Sequence, residues 1–556
     1  MIKETIQKEI HKILGENARD FVVEKSSDFG DYATNAAMMN AKLQGKNPRE
    51  FAEFLVVELW KAEEIKNVVE KMDVAGPGFI NFYLKDEVVS GHISEILEKA
   101  EGYGKNETEK GEKVIIEYTD PNPFKELHIG HLMSNTIGEA FSRIIEANGA
   151  EVKRACYQGD VGMHVAKAIY GMQRMEITDV ASMGKAYALG AQAYDEHKTE
   201  IQEINKKVYE KSDEKINALY EKGRKLSLDY FEIIYKRLGT HFDYYFFESE
   251  SGVFGKKIVE ENLGKVFRKS DGAVIFQGED FGLHTRVFIN SEGLPTYEAK
   301  DLGFAKIKYD AYPYDTSIII TGNEVNDYFQ VMLRAMSLIF PELEKKTKHI
   351  SHGMLRLPTG KMSSRTGDVI TAESLISALS EMVMEKIADR DIEDKGKVAE
   401  EIAIAGIKYS ILKQSPGKDI IFDPQKALSF EGDSGAYLQY AYVRTQSILK
   451  KANEINKIHR VVLCTQDYPV YEQASVLEKT LFEGLPNAIL MARRELAPNY
   501  IATYLTDLCR EFNAYYEQNQ ILGNEHTEHR LSLVKAVGTV LKNGLTLLGI
   551  SVPEKM

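Results

Sequence analysis

The chain has 556 residues, 43% hydrophobic and 28% charged, which fits ordinary globular material long enough to bury several cores across two to four domains. Its three cysteines, Cys156, Cys464 and Cys509, are far apart and odd in number. That excludes a disulfide framework as the expectation, and the lack of a Cys-x-x-Cys pair argues against a zinc knuckle. The formal net charge of −14 weighs only mildly against nucleic acid, because binding needs a local basic surface that a global sum does not report.

The chain opens with MIKETIQKEIHKILGE, an amphipathic, charged helix pattern without the apolar core of a signal peptide. No window approaches ~20 apolar residues, so no membrane span is expected and a reducing cytoplasm is the default. Helical patterns continue to Leu59. In VAGPGFINFYL, Val74 to Leu84, the Gly76-Pro77-Gly78 turn precedes a strand of alternating apolar residues. Residues 1–100 thus read as an α+β N-terminal domain, and the hydrophilic Glu101 to Lys113 stretch as a linker.

Residues 112–370 form the next region. A strand is expected at Val114 to Tyr118, then a Pro-containing loop and a helix. Ile137, Phe141, Ile144 and Ile145 make one apolar stripe on that helix, and Asn148-Gly149 supplies its stop. A second strand follows near Val152 to Tyr157. This is a βαβ unit, the start of a doubly wound, Rossmann-like parallel sheet. The sheet resumes at Ser317 to Thr321, a β-rich run suited to burial on both faces. Between them, residues 173–235 read as a charged helical insertion. Residues 371–430 are expected to be mostly helical, and residues 431–556 a bundle of amphipathic helices rich in tyrosine. The fold class is therefore α/β, with an α+β N-terminal domain and an all-α C-terminal domain.

Two motifs carry chemistry. His128-Ile129-Gly130-His131 lies where the first strand's loop enters the first helix. Gly130 permits close approach of a phosphate-bearing ligand, the helix N-terminus offers free N–H donors, and two imidazoles three residues apart can face one ligand. Such donors suit a triphosphate gaining charge at its α-phosphorus. Half a metal site is the alternative, but no third ligand of convincing spacing follows. The second motif, Lys361-Met362-Ser363-Ser364-Arg365 within LPTGKMSSRTGDVI, is bracketed by Gly360 and Gly367 and reads as a mobile loop. Its two cations and two hydroxyls could neutralise a leaving pyrophosphate; a solvated basic loop is the bland alternative.

In this order the two motifs resemble the HIGH and KMSKS signatures of class I aminoacyl-tRNA synthetases. The resemblance narrows to the arginyl-tRNA synthetases and covers nearly the whole chain. GDYATNAAMMNAK, NPREFAE and AGPGFINFYL are similar to that family's additional N-terminal domain. EYTDPNPFKELHIGHLMSNTIGEAF is similar to its HIGH region, and LPTYEAKDLGFAK to its Tyr-x-x-x-Asp segment. EGDSGAYLQYAYVRTQSIL and VLKNGLTLLGISVPEKM are similar to its C-terminal anticodon-binding domain.

The resemblance implies an arginine–tRNA ligase that forms arginyl-adenylate from L-arginine and ATP and passes the arginyl group to the terminal adenosine of tRNA-Arg. Mg²⁺ would travel with ATP, no zinc is expected, and the protein is expected to be a cytoplasmic monomer. It assigns arginine binding to Glu117, Asn122, His128, Tyr297 and Asp301, with Asn323 and Glu324 as looser matches. ATP falls to His128, Gly130, His131, Lys361, Ser363 and Ser364. Catalytic roles are expected for Lys125, His128, His131, Lys361 and Arg365. Residue chemistry agrees: a guanidinium is planar, permanently charged and carries five donors, so its pocket needs carboxylates and hydroxyls. Ser364 replaces the second lysine of KMSKS, and some arginyl-tRNA synthetases lacking that lysine carry one at the place of Lys125.

For the tRNA, the elbow contact would fall near Glu24-Lys25-Ser26-Ser27, Tyr32 and Asn35. The C-terminal helices carry Tyr437, Tyr440, Tyr442, Tyr500, Tyr504, Tyr515 and Tyr516 with Arg444, Lys450, Lys451, Arg493, Arg494 and Arg510. Aromatics that stack bases and cations that hold phosphates read single-stranded RNA loops. Two rivals remain: a small-molecule nucleotidyltransferase, which would not need the terminal domains, and a non-catalytic RNA-binding relative, which would not need an intact HIGH motif and guanidinium constellation.

Overall fold

The computed structural model describes residues 2–26, 29–356, 370–456 and 474–556. The chain forms two compact units. One contains Met1–Tyr103, Arg444–Asn487 and Tyr504–Asn543; the other contains Gly104–Val443, Ala488–Thr503 and Gly544–Met556.

The first unit begins with helix Ile2–Leu14, which buries Ile6, Ile10 and Leu14 along one stripe. Its antiparallel sheet holds β1 (Val23–Lys25), β2 (Tyr32–Thr34), β3 (Val69–Ala75) and β4 (Phe79–Leu84), in the order β1-β2-β4-β3. The β3–β4 turn is the expected Gly-Pro-Gly. At Gly78, with φ of 130°, a Cβ would lie 2.7 Å from the Pro48 carbonyl oxygen. Strands β1 and β2 were not expected; three residues each are too few to show a period of two.

These short strands carry several of the residues expected near the tRNA elbow. The Lys25 ammonium donates to the carbonyls of Lys479 and Phe482 at the end of helix Val476–Leu481. Tyr32 is fully buried, and its hydroxyl donates to Glu483 Oε2 at 2.6 Å. Asn35 Oδ1 accepts the backbone N–H of Val22 at 2.9 Å. Tyr32 is therefore a packing residue, while Lys25 is exposed with its ammonium engaged. Ser27 lies outside the described residues.

The second unit is built on β5 (Lys113–Glu117), β6 (Glu151–Gln158), β7 (Tyr244–Phe247), β11 (Thr316–Gly322) and β12 (Thr347–His352). All neighbours pair in parallel, in the order β12-β11-β5-β6-β7. Ile115 and Ile116 on β5 and Ile318, Ile319 and Ile320 on β11 are buried, as parallel strands covered on both faces require. Helix Ile129–Ala147 crosses from β5 to β6 and ends at Asn148 with Gly149 in the left-handed region at φ of 95°.

The expected linker is instead folded against that helix end. Asn106 and Glu109 donate backbone N–H groups to the carbonyls of Ala147 and Asn148, both at 2.8 Å. Glu109 in turn pairs with Arg493 at 2.7 Å, so that arginine is not a free phosphate contact. The insertion appears as helices Val180–Gln192, Lys198–Glu210 and Glu214–Leu238, with a core including Met183, Ile201, Ile204 and Tyr220. A further antiparallel sheet, β8 (Arg268–Ser270), β9 (Ala273–Phe276) and β10 (Arg286–Ile289), was not foreseen.

Helices Ala372–Lys386 and Lys395–Leu412 follow, and the residues described beyond 435 are arranged as five helices from Gly435–Asn456 to Thr527–Leu547. Among the described residues, no helix is long and apolar enough to cross a membrane.

Candidate active site

The winding of the large sheet reverses at β5: β6 and β7 lie to one side, β11 and β12 to the other. Such a reversal leaves a crevice beyond the carboxyl ends of the two central strands. A cavity of about 760 Å³ opens there. Glu117 at the end of β5, Asn122, His128, Gly130, His131, Tyr297, Asp301 and Glu324 all line it. Asn323 is not among its lining residues. Lys361, Ser363, Ser364 and Arg365 lie outside the described residues.

The loop leaving β5 is strained. Thr119, Asp120 and Phe124 adopt φ of 78°, 44° and 70°, a region that non-glycine residues enter only when their surroundings hold them there. The holding contacts are specific. Thr119 N–H donates to Ser134 Oγ at 3.0 Å, Asp120 Oδ1 accepts from Tyr157 N–H at 2.7 Å, and Phe124 N–H donates to Ser227 Oγ at 2.8 Å. The Phe124 ring is buried in the insertion's core. The insertion thus anchors the loop that leads into the HIGH helix.

At the helix entrance His128 is the N-cap. Its Nδ1 accepts from the N–H groups of Gly130 and His131 at 3.1 and 3.4 Å, while His131 Nδ1 accepts from His128 N–H at 3.2 Å. The rings stack with centroids 3.6 Å apart. A Cβ at residue 130 would come within 2.9 Å of the His128 ring, so glycine is what lets the imidazole fold over the first turn. Burial, helped by Lys125, lowers the pKa of His128; burial, His128 and Lys125 hold His131 well below the usual imidazole value. Each ring is then neutral with Nδ1 accepting, so each carries its proton on Nε2. The motif presents two N–H donors without two buried charges.

Lys125 stands apart from the cavity lining. Its ammonium sits over the Tyr187 ring of the insertion, 4.2 Å from the centroid. This is a cation–π contact.

The remaining wall is a set of carboxylates, three of them with a cation of their own. Glu117 Oε2 receives Lys308 Nζ at 2.5 Å, Glu248 Oε2 receives Lys300 Nζ at 2.5 Å, and Glu298 Oε1 lies 3.3 Å from Arg286 Nη1. Burial opposes the charge of Lys308, but Glu117 opposite it keeps its pKa above the ordinary value. Asp301 differs. It stands one turn after Tyr297 on helix Tyr297–Ala311, and its Oδ2 accepts from the Tyr328 hydroxyl. No cation pairs with it among the described residues. Enclosure in the wall, with Glu117, Glu248 and Glu298 nearby, pushes its pKa up to about 8, against the pull of the Tyr328 hydrogen bond. Gly159 leaves room at the base: a Cβ there would lie 2.5 Å from Asn122 Oδ1.

Sequence reasoning missed Lys300, Lys308, Arg286 and Tyr328. Lys300 and Lys308 carried the available signal, since both lie on the helix that bears Tyr297 and Asp301.

Comparison with known proteins agrees with this architecture. Residues 92–424 match the family described as class I tRNA synthetases (R), catalytic domain. Residues 1–84 match the arginyl tRNA synthetase N terminal domain, and residues 438–556 the DALR anticodon binding domain. The arginine–tRNA ligase of Fusobacterium nucleatum subsp. nucleatum is 32% identical over 97% of this chain and 95% of its own. That of Clostridium perfringens is 30% identical over 95% and 94%. The structure of Thermus thermophilus arginyl-tRNA synthetase superposes with a TM-score of 0.80 at 26% identity, covering all of both chains. With a family match over more than half its length and relatives spanning nearly all of it, this chain belongs to the class I arginyl-tRNA synthetases.

Proposed function

We propose that the cavity at the β5–β11 reversal holds arginine with its guanidinium against Asp301 and Tyr297 and its α-carboxylate toward Asn122 and His128. One observation carries this reading: Asp301 is a wall carboxylate without a cation of its own, in a wall where Glu117, Glu248 and Glu298 each have one. A permanently charged substrate guanidinium supplies the missing partner. Glu117 keeps only Oε1 for this task, because Lys308 occupies Oε2, so its share in holding arginine is the smaller one. Glu324 closes the rim.

The family's reaction is ATP-dependent activation of arginine followed by transfer to tRNA. Here an oxygen of the arginine carboxylate attacks the α-phosphorus of ATP in line, the bond to the bridging oxygen breaks, and pyrophosphate leaves. A hydroxyl of the terminal tRNA adenosine then attacks the arginyl carbonyl carbon, and AMP departs. No protein nucleophile takes part; positioning and charge stabilisation do the work. The Nε2–H groups of His128 and His131 donate to the phosphate oxygens as charge builds, with Lys361, Ser363, Ser364 and Arg365 supplying cations and hydroxyls to the leaving pyrophosphate and Lys125 adding charge from the entrance loop. ATP brings Mg²⁺ held by its own oxygens and water; among the described residues no three His, Cys, Asp or Glu side chains converge as a metal site. The protein works in the cytoplasm as a monomer.

Aminoacylation of purified tRNA with each of the twenty amino acids in turn is the direct test. Charging confined to arginine is the expected result, and charging with any other residue, or with none, overturns the reading.

A further inference from the structure

Asp301, a wall carboxylate that lacks a cation, is held by a specific contact. Tyr328, on helix Asn326–Ile339, lines the cavity and donates its hydroxyl to Asp301 Oδ2. Its ring is fixed from two sides. Phe329 meets it edge-on, with centroids 5.2 Å apart, and the Arg286 guanidinium lies 5.6 Å from its centroid. Phe329 is itself stacked on His349 at 3.9 Å, and His349 Nε2 is 2.7 Å from Thr321 Oγ1 at the end of β11. The hydroxyl is therefore referred back to the central sheet through a chain of packed rings. On Asp301 only Oδ2 is engaged; Oδ1 has no hydrogen-bond partner among the described residues.

We propose that Tyr328 is a positioning residue for amino-acid selection: by binding Oδ2 it fixes the rotation of the Asp301 carboxylate and leaves Oδ1 as the acceptor for the substrate guanidinium. This rests on the assignment of Asp301 to the guanidinium.

The surroundings explain why such a residue is needed. Asp301 faces Glu117 from β5, Asp120 from the strained loop, Tyr157 from β6, Glu248 from helix Glu248–Glu261, and Tyr297 and Glu298 from its own helix. None of these offers a positive charge, and the neighbouring cations Lys308, Lys300 and Arg286 are each engaged by another carboxylate. An unheld carboxyl group in this setting takes up a proton and turns. The Tyr328 hydroxyl works against both, since a donor to a carboxylate favours its ionised form. A neutral amino acid of similar shape brings no cation to pair with the ionised Asp301 and so gains none of this binding.

Tyr328→Phe keeps the ring and its packing and removes only the donor. Steady-state arginine activation, measured by ATP–pyrophosphate exchange with tRNA present across pH 6 to 9.5, is the readout. The KM for arginine should rise about tenfold, the order of one charge-assisted hydrogen bond. The KM for ATP and the melting temperature should stay near wild type, and the pH at which arginine kcat/KM is half-maximal should move upward. In an Asp301→Asn background, adding Tyr328→Phe should change arginine KM no further, because a residue acting through another is not additive with it. A merely structural tyrosine would lower stability and add its effect to that of Asp301→Asn. If Asp301→Asn is crippled while Tyr328→Phe has wild-type arginine KM and an unshifted pH profile, the positioning role is overturned and the pocket assignment stands. If Asp301→Asn itself uses arginine normally, the pocket assignment fails first.

Discussion

The Lys408 ammonium donates to the carbonyl oxygen of Gly549 at 2.6 Å and, on its other side, to that of Leu238 at 2.6 Å. Lys408 is 1% exposed. Arg143, on the HIGH helix, makes a parallel bridge: Nη1 to Thr546 at 3.0 Å, Nη2 to Gly239 at 2.9 Å, and Nε to the buried Glu139 at 2.7 Å. The C-terminal segment is thus pinned by Arg143 to the helix that carries the nucleotide motif and by Lys408 to helix Lys395–Leu412. A C-terminal region read from sequence as a separable module includes a stretch, Gly544–Met556, that belongs to the catalytic unit.

Deleting residues 544–556 should therefore destabilise the catalytic unit and not merely remove an RNA contact. Unpairing these charge-assisted bonds costs on the order of 3 kcal/mol, visible as a lower melting temperature in calorimetry or circular dichroism. A truncated protein that melts with the wild type would contradict this. Burial, with Arg143 near, lowers the Lys408 pKa to about 7. In the unfolded chain the lysine keeps its proton to higher pH, so stability should rise as pH increases from about 7 toward the ordinary lysine value. Lys408→Met should flatten that rise.

Asp301→Asn should weaken arginine use by on the order of 2–5 kcal/mol in kcat/KM, the scale for unpairing a buried charged contact. Citrulline, which lacks the charge, should be a very poor substrate. Unchanged arginine KM and kcat in the variant would remove Asp301 from the recognition scheme.

The raised pKa of Asp301 gives a pH dependence with a definite sign. Its folded value of about 8 lies above the ordinary carboxylate value, so the empty protein binds more protons than the unfolded chain between those limits. Asp301 therefore contributes to the stability of the empty protein at low pH, and that contribution is lost as pH rises toward 8. Arginine needs the ionised form, so arginine kcat/KM should climb by up to ~10-fold per pH unit and level off above about 8. Asp301→Asn should also melt higher than wild type at pH 8.5 without arginine. A flat profile from pH 6 to 8 would show that the carboxylate is already ionised.

Lys125→Ala should lower the rate of arginyl-adenylate formation by roughly 10²-fold or more, the scale for removing one donor from developing charge. Its contact with Tyr187 accounts for only about 0.5–1 kcal/mol of stability, so the melting temperature should barely move. Lys125→Ala combined with Ser364→Lys should recover part of the rate in single-turnover measurements. Full activity of Lys125→Ala would reduce Lys125 to its cation–π contact.

What the sequence determined by itself was whatever depends on neighbours along the chain. The HIGH loop, the stripe on helix Ile129–Ala147, the Gly-Pro-Gly turn and the two-face-buried run of β11 are local patterns, so periodicity and turn chemistry expose them. The placement of Tyr297 and Asp301 on one helix face followed from a spacing of four. Only the tertiary structure decided which charges are free. Lys308 reaches Glu117 across 191 residues, Lys300 reaches Glu248 across 52, and Tyr328 reaches Asp301 across 27. Tyr32 is buried, and the Lys25 ammonium engaged, by residues more than 450 positions away. The reason is physical: a side chain's charge state and orientation are set by what surrounds it in space, and burial, pairing and desolvation have no counterpart in residue order.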